Sequence, residues 1–149
     1  MAKRNRLAFE SVAKGYFEKL LETRLSGRQI VLNIRGERIT YRVDLATDDE
    51  ETLIACKSYT FRPGGERPNG KFDEAKRDTL LLALSGAKRK ILIFDDDVHP
   101  KSGSLASSFE RWSRKWRCDV EIWRHWAGTF EIMYPKAIRS PAPLGRNPK

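Results

Sequence analysis

The chain has 149 residues, sized for one domain, and 40% of them are hydrophobic, enough for a core and too many for disorder along the whole length. Its net charge of +9 suggests an anionic partner, but Lys3, Arg4, Arg6, Lys136, Arg139, Arg146 and Lys149 supply seven of those charges from the two ends, leaving about +2 over residues 7–135. Basic tails that merely aid solubility therefore account for the charge as well as an anionic partner does. Cys56 and Cys118 are too few and too isolated for a disulfide framework or a zinc site, and both read as reduced core residues. The basic start is followed by Glu10, Lys14, Glu18 and Lys19 instead of an unbroken apolar stretch, and no segment reaches the roughly 20 apolar residues that span a bilayer. The expectation is a cytoplasmic protein with no membrane partner.

In chain order, Phe9, Val12, Ala13, Tyr16, Phe17, Leu20 and Leu21 recur at helical spacing and predict a helix over 7–25, ended by Ser26-Gly27. Residues 29–34 and 38–46 read as strands joined at Arg35-Gly36-Glu37, and a polar turn at 47–50 leads to a third strand over 51–60. Together they predict a three-stranded antiparallel meander. Residues 61–71 form a loop with three glycines, two prolines and three cations. A helix over 72–85 follows, with Asp73 as its N-cap and Gly86 as its stop. The apolar run 90–94 suits a central strand covered on both faces, and Asp95-Asp96-Asp97 ends it as a solvated acidic turn. A helix over 104–116 and strands near 120–123 and 129–133 complete the order, and the Pro-rich segment 140–149 is predicted to be disordered. The fold class is therefore α/β, a mixed sheet with helices on both faces. It divides into a basic extension over 1–6, a domain over 7–135 and a basic tail over 136–149.

Two charges stand inside apolar strand runs. Asp44 lies in Val43-Asp44-Leu45 and Lys57 in Ala55-Cys56-Lys57-Ser58-Tyr59, and a charge facing a core must be paired, bound to metal or catalytic. A hairpin sets them side by side at one end of a sheet. Strand alternation puts Leu53, Ala55 and Lys57 on one face and Cys56 on the other. Elsewhere the signals are plainer. His99 and His125 show no nucleophile-base arrangement. Trp112 and Trp116, four residues apart, read as a core-facing stripe, with Arg111, Arg114, Lys115 and Arg117 turned outwards.

A helix, then a meander with Asp on its second strand and Lys on its third, then a helix and a buried strand, resembles the PD-(D/E)XK nuclease superfamily. The likeness is greatest to Mrr-type restriction endonucleases and Holliday-junction resolvases and spans roughly residues 7–94. It implies a restriction-endonuclease-like central sheet flanked by helices and a metal-dependent endodeoxyribonuclease that leaves a 5′-phosphate. The implied cofactor is Mg²⁺ or Mn²⁺, with no nucleotide cofactor, and the implied partners are DNA and a second copy of the chain. In that frame Asp44 anchors the metal, the Cys56 carbonyl lies beside it, and Lys57 assists the attacking water. Where the family carries an acid two residues before the lysine, this chain has Ala55, and Glu74 on the following helix is the expected migrated ligand, ahead of Asp73 and Asp78. Glu51 stands four residues from Ala55, roughly 13 Å when extended, and is not favoured. Phe17-Glu18 fits the family's first-helix pair, with Phe9-Glu10 its rival. Arg62, Arg67 and Lys71 in the glycine-rich loop, with Arg77 on the helix after it, are the expected phosphate contacts. Two other readings remain: a catalytically silent nucleic-acid-binding module on the same scaffold, and a structural partner-binding domain with basic tails.

Overall fold

The computed structural model describes residues 6–136, so most of the basic extension and nearly all of the tail lie outside the described residues. Helix α1 (Arg6–Leu21) leads into strands β1 (Ser26–Ile34), β2 (Glu37–Ala46) and β3 (Thr52–Lys57). Helix α2 (Asn69–Leu84), strand β4 (Arg89–Asp95), two short strands β5 (Val98–His99) and β6 (Gly103–Ser104), helix α3 (Leu105–Trp112) and strands β7 (Glu121–Trp126) and β8 (Thr129–Tyr134) follow. Six strands form one sheet in the order β1-β2-β3-β4-β7-β8, and β5 pairs with β6 apart from it.

The meander forms as expected, with β1, β2 and β3 antiparallel. Arg35 and Gly36, both at positive φ, make the two-residue turn whose twist suits a hairpin. Beyond the meander, β4 runs parallel to β3 and β7 parallel to β4, each reached by a helical crossover, and β8 returns antiparallel to β7. The β4 run Ile91-Leu92-Ile93-Phe94 is fully buried because both faces are covered.

Side chains alternate between two cores. Leu53, Ala55, Leu92 and Phe94 pack with Phe72, Ala75 and Leu82 of α2 and Leu105, Ala106 and Phe109 of α3. Ile54, Cys56, Ile91 and Ile93 pack with Phe9, Ala13 and Phe17 of α1. Thus α2 and α3 cover one face, α1 covers the other, and the residue after Cys56 emerges on the α2 side. Among the described residues no helix is long and apolar enough to cross a membrane.

Several boundaries differ from the sequence expectation. The first helix ends at Leu21, where Glu22 takes a left-handed φ of 54°, and Ser26-Gly27 opens β1 instead of closing the helix. Helix α2 begins at Asn69 after Pro68 because the buried Phe72 donates its N–H to the Pro68 carbonyl, so Asp73 lies inside the helix and caps nothing. Ser85 is its stop in place of Gly86, with both its N–H and its hydroxyl donating to the Leu82 carbonyl. Cys118 is exposed, against the expected core placement, whereas Cys56 is buried as expected.

The acidic triplet is not a solvated turn. Asp96 is fully buried, accepts the N–H groups of Asp97 and Ala106 and the Ser104 hydroxyl, and so fastens the start of α3 to the end of β4. Arg124 Nε stands 3.0 Å from it as a charge contact without hydrogen-bond alignment. Arg117, expected outside, is 4% exposed, donates to Glu110 at 2.9 Å and lies over the Tyr134 ring. The Trp112 and Trp116 rings do pack inwards, edge to face with centroids 5.3 Å apart.

Candidate functional site

The local conformation of β2 sets the site. Ser26 pairs with Ala46 but Arg28 pairs with Val43, so β2 carries an extra residue opposite Gly27, and the bulge falls at Asp44 and Leu45. It reverses the alternation: Val43 belongs to the α2-side core, whereas Leu45 belongs to the α1-side core. Gly27 leaves room there for the Arg42 guanidinium, which a Cβ would meet at 2.4 Å and displace, and a Cβ would press on the Asp44 carbonyl at 3.3 Å.

The strand ladder opens at the same point. β2 and β3 pair at Leu45 with Ile54 and at Ala46 with Leu53, after which the Asp44 carboxylate takes over and accepts the Cys56 N–H at 2.7 Å. A side-chain acceptor thus satisfies a buried backbone donor where the neighbouring strand has diverged. One residue further, Lys57 ends β3 and projects on the face covered by α2. Its side chain is 12% exposed, and its ammonium forms a close ion pair with the carboxylate of Asp78, whose side chain is 26% exposed.

These groups border a cleft of about 1530 Å³ at the carboxyl end of β3, walled by β2, by α2 and by the segment after β4. In open α/β sheets such strand ends commonly receive ligands. Asp44, the Cys56 main chain and Lys57 line its floor, and Glu74 and Asp78, one helical turn apart, line its α2 wall. Glu74 is largely exposed and stands 3.8 Å from Lys71. Arg62, Lys71 and Arg77 also line the cleft, giving it cations around a carboxylate floor. Asp97 accepts the Phe61 N–H at 2.8 Å and ties the loop after β3 to the loop after β4.

Glu18, its rival Glu10 and Arg67 are elsewhere. Glu18 is not brought to the cleft: it lies on α1, across the sheet, and its carboxylate accepts the Leu25 N–H at 2.9 Å to close the connection into β1. Glu10, on the same helix, does not line the cleft either. Arg67 is turned away from it, bonded to Asn69 and stacked between Phe72 and Trp112. The Cys56 thiol points into the α1-side core, so only its main chain serves the cleft.

The cleft also contains residues that sequence reasoning passed over or ranked low. Asp78 follows Glu74 at helical spacing, and that spacing was the available signal. Tyr41 stands three residues before Asp44, with its phenol pushed up to about 12, first by burial and then by the Asp78 charge. The hydroxyl oxygens of Tyr41 and Ser58, both from cleft-lining residues, are buried with no hydrogen-bond partner among the described residues. His99 enters from β5, with Nδ1 accepting the Lys101 N–H at 3.0 Å. Among the described residues no three His, Cys, Asp or Glu side chains converge as a metal-binding group.

The arrangement combines hard oxygen donors with a partly buried lysine in a cleft that also holds three further cations, a combination suited to a phosphate ester and to a hard cation accompanying it. Comparison with family models, with curated proteins and with solved structures finds no match to this chain.

Proposed function

We propose that the chain is a divalent-metal-dependent endonuclease hydrolysing DNA phosphodiester bonds, on a restriction-endonuclease-like fold of the PD-(D/E)XK superfamily. One observation carries this reading. Asp44 sits where β2 and β3 part, Lys57 ends β3 beside it, and both open into a cleft walled by the next helix. The order helix, antiparallel meander, helix and parallel strand gives it further support.

The donor set fits a hard cation in chemistry. Asp44, Glu74 and the Cys56 carbonyl offer only oxygen, and Mg²⁺ commonly takes one or two carboxylates and completes its octahedron with water and substrate phosphate. Asp44 with the Cys56 carbonyl would hold the ion, and Glu74 would approach from α2 in place of the acid that Ala55 lacks. When bound, the ion supplies charge neutralisation at the phosphate and acidification of a water. The chain's own residues do the rest. The Cys56 N–H fixes the Asp44 carboxylate, so its position is set before substrate arrives. Lys57 directs its N–H donors at the attacking water and at the negative charge that develops on the phosphoryl oxygens, and its low exposure strengthens both interactions. Arg62, Lys71 and Arg77 grip flanking phosphates and read no sequence. No glutamate from the first helix takes part.

A silent DNA-binding module is the second reading, favoured by Ala55 and by the neutralisation of Lys57 by Asp78. Cleavage by point variants separates the two. Lys57→Ala and Glu74→Ala should each reduce metal-dependent plasmid cutting by at least about a hundredfold, the usual range for a lost acid-base or electrostatic group. Full activity in Lys57→Ala would refute the assignment, and full activity in Glu74→Ala would remove Glu74 from it.

A further inference from the structure

Lys57 carries a charge that the proposed chemistry needs and that the free protein cancels. Its ammonium is held by Asp78 of α2 inside the cleft, so a DNA phosphate reaching Lys57 must first displace a carboxylate. That side chain is itself only 26% exposed, and its carboxylate would need another donor. The Tyr41 hydroxyl is available for this: it is buried, lacks a hydrogen-bond partner among the described residues and belongs to the same cleft. A buried hydroxyl left unpaired is costly, and a second state that uses it would explain why it is kept.

We propose that Asp78 is a displaceable counter-ion of Lys57, and that the Tyr41 hydroxyl receives its carboxylate when a DNA phosphate takes the ammonium. The proposal rests on the nuclease reading and adds two positioning residues that act through Lys57. With its phenol pushed up to about 12, Tyr41 is fully protonated at neutral pH and always able to donate. Asp78 acts on that phenol through its charge, so the two lie within electrostatic reach. The incoming phosphate repels Asp78 as it attracts Lys57, and both forces drive the exchange in one direction. In the free protein the pair keeps a bare ammonium from remaining in a partly dry cleft.

A double-mutant cycle in DNA binding tests this, using fluorescence anisotropy of a short labelled duplex with Ca²⁺ in place of Mg²⁺. Tyr41→Phe removes only an unbonded oxygen and should weaken binding roughly fivefold, because the displaced carboxylate has nowhere to go. Asp78→Asn should tighten binding by a similar factor. In the Asp78→Asn background Tyr41→Phe should change affinity by less than about twofold, since there is no carboxylate to receive. An equal effect of Tyr41→Phe in both backgrounds, or none in either, would overturn the switch while the wild type still bound and cut DNA. A wild type that neither binds duplex nor cuts plasmid would overturn the nuclease reading and the switch with it.

Discussion

Asp44 has a structural duty as well as a proposed catalytic one, and the two can be separated by choice of substitution. Its carboxylate is the acceptor for the Cys56 N–H at 2.7 Å, at a residue 1% exposed. Asp44→Ala removes that acceptor and leaves a buried backbone donor without it, a loss of about 1–3 kcal/mol. For a domain of this size that corresponds to a fall in Tm of roughly 2–12 °C. Asp44→Asn keeps an oxygen in the same place, so it should cost less than about 1 kcal/mol. Both variants lose the anionic ligand and should lose cleavage alike. Urea unfolding followed by circular dichroism gives the stabilities, and plasmid nicking gives the activities. An Asp44→Ala protein as stable as the wild type, or Asn and Ala variants equally destabilised, would refute the view that this carboxylate closes the opening between β2 and β3.

Asp96→Ala should be among the most damaging single changes, about 3–5 kcal/mol by urea unfolding, because it strips a fully buried carboxylate from two N–H groups, a hydroxyl and Arg124. A loss under about 1 kcal/mol would contradict its role in fastening α3. Tyr41 predicts a loss of stability at high pH. Its folded phenol titrates near 12 against an ordinary 10, so the unfolded chain ionises first and stability falls as pH rises through that window. Allowing for solvent at the partly exposed ring, the loss is roughly 1–2 kcal/mol, and Tyr41→Phe should remove it. An identical high-pH slope in Tyr41→Phe would contradict this. Arg62→Ala, Lys71→Ala and Arg77→Ala should each weaken DNA binding across all sequences and reduce the slope of log K against log salt by about one. Arg67→Ala should leave that slope nearer the wild type, since Arg67 stacks on Phe72 and Trp112 away from the cleft.

Much of the fold was legible because its signals are local. The period-two runs of the meander, the uninterrupted apolar run of β4 and the Arg35-Gly36 turn each depend on neighbours within a few residues, and each appears as expected. The anomaly of Asp44 and Lys57 was legible for the same reason, since a charge within an apolar strand is visible without tertiary information. What the sequence concealed was partnership. That Asp78 and not Glu74 meets Lys57 depends on how far α2 is rotated over β3, which only the folded packing sets. Asp96 read as solvated because three adjacent acids look hydrophilic, yet the start of α3 and Arg124 come to it from distant segments. Glu18 lies away from the cleft, which the sequence did not reveal because helical spacing gives the face of a helix and not the side of the sheet that the helix covers. The bulge at Asp44 leaves no mark in the sequence beyond Gly27, whose fit is seen only once Arg42 and the Asp44 carbonyl stand against it.

The central claim is that Asp44 and Lys57 form a metal-dependent phosphodiesterase centre. The most direct test incubates supercoiled plasmid with the wild-type protein and with Asp44→Asn, in Mg²⁺ or Mn²⁺ and in chelator. The account predicts nicking and linearisation by the wild type only with metal, and none by Asp44→Asn although it remains folded. Cutting that persists in Asp44→Asn, or a wild type that binds DNA and leaves plasmid and branched substrates intact with either metal, would contradict it.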